Sequence, residues 1–333
     1  MPWTVIRLLA VFAVLAAPAA AEQPSLSLPI DCVPGETCWV AQYMDLDAGP
    51  EARDFACGRM SYDGHNGTDF ALRDLKALFD GVAVLAAAPG IVTGVRDGLP
   101  DVSVRELKNP AVVRGRECGN GVVVRHGGGW ETQYCHLRYG SVSVRPGDRV
   151  RTGQPLGFVG MSGAAEFPHV QFEARFDGRP VDPFVGLKRT KPCGVGDTPL
   201  WNGAALSQLD YQGAAIFGAG FAPWPPELTA VADGNYSGAL LAPDAPALVF
   251  WMLMYGARSG DALTMTITGH DGSEILRSEK RFEKSQVRRM EFAGLKRQAK
   301  RWPAGTYVGE AVLTRIDGGT ERRFSIRRSV EIP

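Results

Sequence analysis

No cysteine occurs after Cys193, and no two of the six cysteines form a C-x-x-C pair. The first absence leaves the C-terminal third to stand on its hydrophobic core alone. The second argues against a cysteine-held zinc site. Net charge is lacking too, since 36 Lys+Arg balance 36 Asp+Glu. Nucleic-acid-binding domains are normally basic, so no nucleic-acid partner is expected. The apolar stretch Leu8 to Ala17 falls well short of the roughly 20 residues that span a bilayer, so the mature chain is expected to carry no transmembrane segment. What is present suits a folded, turn-rich protein: 45% hydrophobic residues and 40 glycines in 333 positions. That length favours two domains over one.

Residues 1–21 have the pattern of a signal peptide. Arg7 supplies a positive start, the apolar stretch follows, and Ala19 and Ala21 offer a small-residue cleavage site that leaves Glu22 as the mature start. No cysteine follows that point directly, so lipid attachment there is not expected. Export to the periplasm or the outside suits six cysteines (Cys32, Cys38, Cys57, Cys118, Cys135 and Cys193), an even number that favours three disulfides. Many pairings are open. Cys118 with Cys135 is the favoured one, because they flank the arms of one hairpin.

The organisation reads as short strands broken by glycine turns. Residues 82–86 and 91–95 flank Pro89-Gly90, residues 122–124 and 132–134 flank a glycine turn, and 142–144 and 156–160 flank Pro146-Gly147-Asp148. Residues 97–120 interrupt this rhythm as an inserted loop. The pattern predicts an all-β chain: a Cys-containing segment over 22–56, an antiparallel β domain over 57–190, and a β-sandwich over 198–333. In the last unit Leu263, Met265 and Ile267 alternate with threonines, and Leu248 to Tyr255 reads as a buried strand. Some seven such strands suggest an immunoglobulin-like sandwich. Its basic stretch, residues 280–301, is read as a solvated hairpin in preference to an anionic-polymer site.

The residues that carry chemistry lie in the middle unit. His65 and Asp69 form H-x-x-x-D. His169 and Gln171 stand two apart, so on a strand they share one face, where H-x-H would place two imidazoles side by side. His136 follows in Tyr134-Cys135-His136-Leu137. His126 at a glycine turn is read as structural, and His270 as an exposed turn residue. Two imidazoles and one carboxylate would hold zinc with an open position for water. Gln171 breaks that set, because an amide oxygen is a much poorer zinc donor than imidazole. Glu166 or Glu173 would have to compensate.

Gly64-His65-Asn66-Gly67-Thr68-Asp69, Ala88-Pro89-Gly90-Ile91-Val92, Tyr134-Cys135-His136-Leu137, residues 150–157, Pro168-His169-Val170-Gln171-Phe172-Glu173 and Val181-Asp182-Pro183 occur in this order. Over positions 57–187 the chain resembles the lysostaphin-like (M23, LytM) metallopeptidases. The resemblance implies a zinc (Zn2+) endopeptidase that cuts peptide cross-links in peptidoglycan. It implies His65 and Asp69 as metal ligands with Gln171 in the third position, and His136 and His169 as the catalytic pair beside the bound water. Three functions follow as expectations: an exported peptidoglycan endopeptidase impaired by Gln171, a non-catalytic relative that binds peptidoglycan or activates another cell-wall hydrolase, and an envelope structural or adhesion protein. The partners expected are peptidoglycan peptides and, for the second function, a cell-wall hydrolase.

Overall fold

The computed structural model describes residues 23–333 apart from 237 and 239. The signal peptide expected over 1–21 lies outside the described residues. The chain is nearly all β, with antiparallel sheets, as its turn spacing predicts.

The N-terminal part supplies β1 (Cys38–Gln42), β2 (Thr68–Leu72), β3 (Ala83–Leu85), β4 (Gly90–Arg96), β5 (Asn120–Gly127), β6 (Trp130–Leu137), β7 (Arg149–Val150), β8 (Pro155–Phe158), β9 (His169–Phe176) and β10 (Arg179–Val181). Eight of them form one sheet in the order β1-β2-β9-β6-β5-β4-β7, with β10 paired to β9. β3 and β8 make a separate ladder. Residues 142–144 form no strand ladder, although Ser143 N donates to the Leu156 carbonyl of β8 (2.9 Å) and Val144 is buried. The inserted loop is pinned rather than free: the Asp101 carboxylate accepts from Tyr139 N (2.9 Å) and Met161 N (2.7 Å).

Alternation along β9 decides what faces where. Val170, Phe172 and Ala174 enter the core with Phe70 of β2 and Tyr134 of β6. His169, Gln171 and Glu173 therefore occupy the opposite face. One polar face and one apolar face on the central strand place the site on the sheet itself.

The C-terminal part supplies β11 (Ala215–Ala222), β12 (Ala247–Ala257), β13 (Ala262–Thr268), β14 (Glu274–Arg281), β15 (Gln286–Lys296), β16 (Gly305–Asp317) and β17 (Thr320–Ile332). They form a three-stranded sheet, β11-β12-β15, and a four-stranded one, β14-β13-β16-β17. The apolar run in β12 has a specific cause. Leu248, Phe250, Met252 and Met254 join a core with Leu263, Ile267 and Leu313 between the two sheets. Trp251, Leu253 and Tyr255, on the other face, join the core of the N-terminal part. A strand buried on both faces must be apolar throughout. Phe217 of β11 stacks on Tyr255 at 4.2 Å and meets Trp39 of β1 at 5.5 Å. In the basic stretch, Lys280 and Arg289 both pair with Glu291, and the Arg281 guanidinium donates to the Gly260 carbonyl.

All six cysteines are paired: Cys32–Cys38, Cys57–Cys193 and the expected Cys118–Cys135. Asp182 is buried where β10 ends. Its Oδ1 accepts from Phe184 N (2.7 Å) and Val185 N (3.1 Å), and Oδ2 has no protein partner. Burial pushes its carboxyl up to about 7. A folded-state value above the unfolded one means that this group's stability is complete below about pH 4 and is lost as pH rises to about 7. Asp182→Asn keeps an acceptor for both amides and cannot ionise. It should gain about 2–3 kcal/mol on the parent between pH 5 and pH 8, read from urea unfolding at each pH.

Candidate active site

The face of β2, β9 and β6 that does not enter the core floors a groove of about 740 Å³. Register puts Asp69 opposite Gln171, Gln171 opposite Cys135, and Ala71 opposite His169. His65 enters from the loop before β2, and His136 stands at the end of β6. His65, Asp69, His136, His169 and Gln171 all line the groove, so one site collects every residue singled out from the motifs. Gly67, inside the first motif, is required by this closeness. A Cβ there would lie 2.8 Å from the Phe172 carbonyl oxygen and 2.9 Å from Gln171 Cγ.

Each imidazole is oriented from behind. Nδ1–H of His65 donates to the Tyr43 carbonyl (2.8 Å), that of His136 to Ser162 (2.7 Å), and that of His169 to Phe167 (2.8 Å). This leaves each Nε2 to the groove. His65 Nε2 lies 3.2 Å from Asp69 Oδ1 and His169 Nε2 lies 3.9 Å from the same oxygen. The His136 and His169 rings stand 4.5 Å apart. His136 takes a left-handed backbone, φ 64°, which costs a non-glycine residue about 1–3 kcal/mol and tends to persist at functional sites. Its N–H to the Cys118 carbonyl (2.8 Å) helps hold that turn, and the Cys118–Cys135 disulfide closes the adjacent wall.

Charge in the groove follows from burial and pairing. Burial works against ionised Asp69, but His65 and then His169 outweigh it and hold the carboxyl below its usual range. Burial likewise opposes a charged His65, and Asp69 outweighs it, so that imidazole is raised. Burial, reinforced by His169, lowers His136 to about 4. His136 is therefore neutral at pH 7.

The two glutamates that would have to compensate for Gln171 are already engaged. Glu173 accepts from Nε and Nη2 of Arg175, each at 2.9 Å, and Glu166 pairs with Arg105 at 2.6 Å. Among the described residues, no group of three or more His, Cys, Asp or Glu side chains is arranged to hold a metal ion. The donor chemistry suits zinc at His65, whose Nδ1–H is held by a backbone carbonyl as in metal-bound histidines, and at the Asp69 carboxylate. At the third position it offers an amide.

Several groove residues escape the motifs. Gln42 of β1 is opposite Asp69, and its buried Oε1 has no protein partner. Tyr62 stacks on His65 at 4.5 Å. Val287 comes from the C-terminal sheet. His126 is not in the groove: its nitrogens bond the Pro89 carbonyl and the Thr132 hydroxyl.

Residues 63–183 match the model of peptidase family M23, so the chain carries an M23 domain. DD-carboxypeptidase/endopeptidase Mpg of Neisseria meningitidis is 34% identical over 121 residues, covering 36% of this chain and 22% of that protein. Murein hydrolase activator EnvC of Escherichia coli is 43% identical over 68 residues, 20% of this chain and 16% of that protein. Among solved structures, a zinc-containing peptidase from Vibrio cholerae is similar at 25% identity and a TM-score of 0.28, covering 44% of this chain and 39% of that one. The chain thus spans about a fifth of the length of Mpg.

Proposed function

We propose that this protein is an exported peptidoglycan endopeptidase, periplasmic or extracellular. Its peptidase unit spans 57–190, and its C-terminal unit, 198–333, is an immunoglobulin-like sandwich. One observation carries the reading: three imidazoles fix Nδ1 on backbone carbonyls and present Nε2 to one groove around Asp69. Three disulfides support export, because they persist in oxidising compartments. Similarity to a protein named as a DD-carboxypeptidase/endopeptidase supports the substrate class.

His65 and Asp69 would hold zinc, with Gln171 as a weak third donor. When bound, zinc lowers the pKa of water toward roughly 7 and polarises a carbonyl. The chain's own residues do the rest. Neutral His136 accepts the water's proton at Nε2, and the imidazolium so formed donates from Nε2 to the oxygen that gains charge, with His169 Nε2 facing the same space. Desolvation in the groove strengthens both effects.

Gln171 and the similarity to a murein hydrolase activator favour a second reading, a binder that activates another cell-wall hydrolase. Metal analysis of the mature protein, with chromatography of muropeptides after digestion, separates the two. Stoichiometric zinc and loss of cross-linked muropeptides, both abolished by His65→Ala, are expected. Zinc-free, inert protein that sediments with peptidoglycan would make it the binder.

A further inference from the structure

The groove is not built by the peptidase unit alone. Val287, at the start of β15, lines it and is 39% exposed. It lies more than a hundred residues beyond the last motif. Its position is fixed by packing that reaches the candidate catalytic residues. Tyr255 of β12, fully buried, packs on Phe167 with ring centroids 5.3 Å apart, and Phe167 packs on His169 at 5.0 Å. The Phe167 carbonyl is also the acceptor that orients His169. Arg288, next to Val287, is paired across the ladder with Tyr255 and lies over the Phe217 ring at 5.7 Å. The sheet that carries Val287 is therefore welded to the segment that sets His169.

We propose that the C-terminal sandwich forms part of the substrate-binding wall, with Val287 a specificity-determining residue that contacts the apolar portion of a peptide lying across His65 and Asp69. The inference rests on the endopeptidase reading and extends it. The occupant follows from the groove's chemistry: an extended peptide that presents a carbonyl to the histidines must continue past them, and the side chain it meets on the sandwich side is apolar. The second unit then selects substrate as well as adding a core.

Full-length mature protein carrying Val287→Trp or Val287→Lys tests this, with a soluble cross-linked muropeptide as ligand. Affinity is read by calorimetry, beside zinc content and melting temperature. Both variants should weaken binding by about tenfold or more with zinc content unchanged. If the tryptophan lowers the melting temperature, the lysine variant decides. Parent-like affinity in a folded variant would overturn the assignment of Val287 and leave the endopeptidase reading standing. A parent that neither binds nor cleaves the muropeptide would overturn that reading, and this inference with it.

Discussion

Gln171→His is expected to tighten zinc binding by about tenfold or more, equivalent to about 1.4 kcal/mol. The register shows why one substitution suffices. Position 171 is directly opposite Asp69 and two residues from His169, on the groove face of β9. An imidazole there would lie beside the carboxylate that already holds His65. Neither Glu166 nor Glu173 is free to serve instead, since each is committed to an arginine. A soft nitrogen donor in place of an amide oxygen also suits zinc better. Competition against a fluorescent chelator measures the gain, with circular dichroism to show that the variant is folded. Cleavage of cross-linked muropeptides should appear or rise, and His65→Ala in the same background should abolish it. Unchanged zinc affinity in the folded variant would refute this placement of the third ligand.

How much of this was legible in the chain depends on how locally each feature is encoded. Part of the strand ladder of the N-terminal part is written in short range: the glycine turn after β5 returns the chain as its partner β6, and the alternation in β9 fixes which side chains share a face. The cluster of His65, Asp69, His136 and His169 was reachable because three of the ordered motifs carry it, His65 and Asp69 in the first and His136 and His169 in one each. Gln42 and Val287 were not. Gln42 reaches the groove only because β1 pairs with β2 in a register that puts it opposite Asp69, and nothing nearby in sequence marks that register. Val287 depends on how two units dock.

The run Leu248 to Tyr255 is instructive in the same way. Its continuity showed burial, but not that its two faces serve different cores. Residues 142–144 alternate like a strand and approach β8, with Ser143 N donating to the Leu156 carbonyl (2.9 Å), but do not extend into a ladder.

Removing the Cys57–Cys193 disulfide, by Cys57→Ala with Cys193→Ala, should be the most damaging of the three disulfide deletions. Its half-cystines are 136 residues apart, against 17 for Cys118–Cys135 and 6 for Cys32–Cys38. In the chain-entropy description the constraint on the unfolded state grows with the loop, to about 5 kcal/mol for the longest and about 2 kcal/mol for the shortest. The long loop contains every strand from β2 to β10, so the bridge ties together the two ends of that run. Local structure supports the join: Gly194 N donates to the Phe55 carbonyl at 2.7 Å, and Cys57 N to that of Asp54 at 2.9 Å. A melting temperature lower by about 10 °C or more is expected. Mass spectrometry of the unreduced parent should find no free thiol. Calorimetry on the double variants then ranks the bridges. A smaller loss for Cys57–Cys193 than for Cys32–Cys38 would show that native contacts around residues 54–58 and 192–194, rather than closure of the long loop, set the stability of this unit.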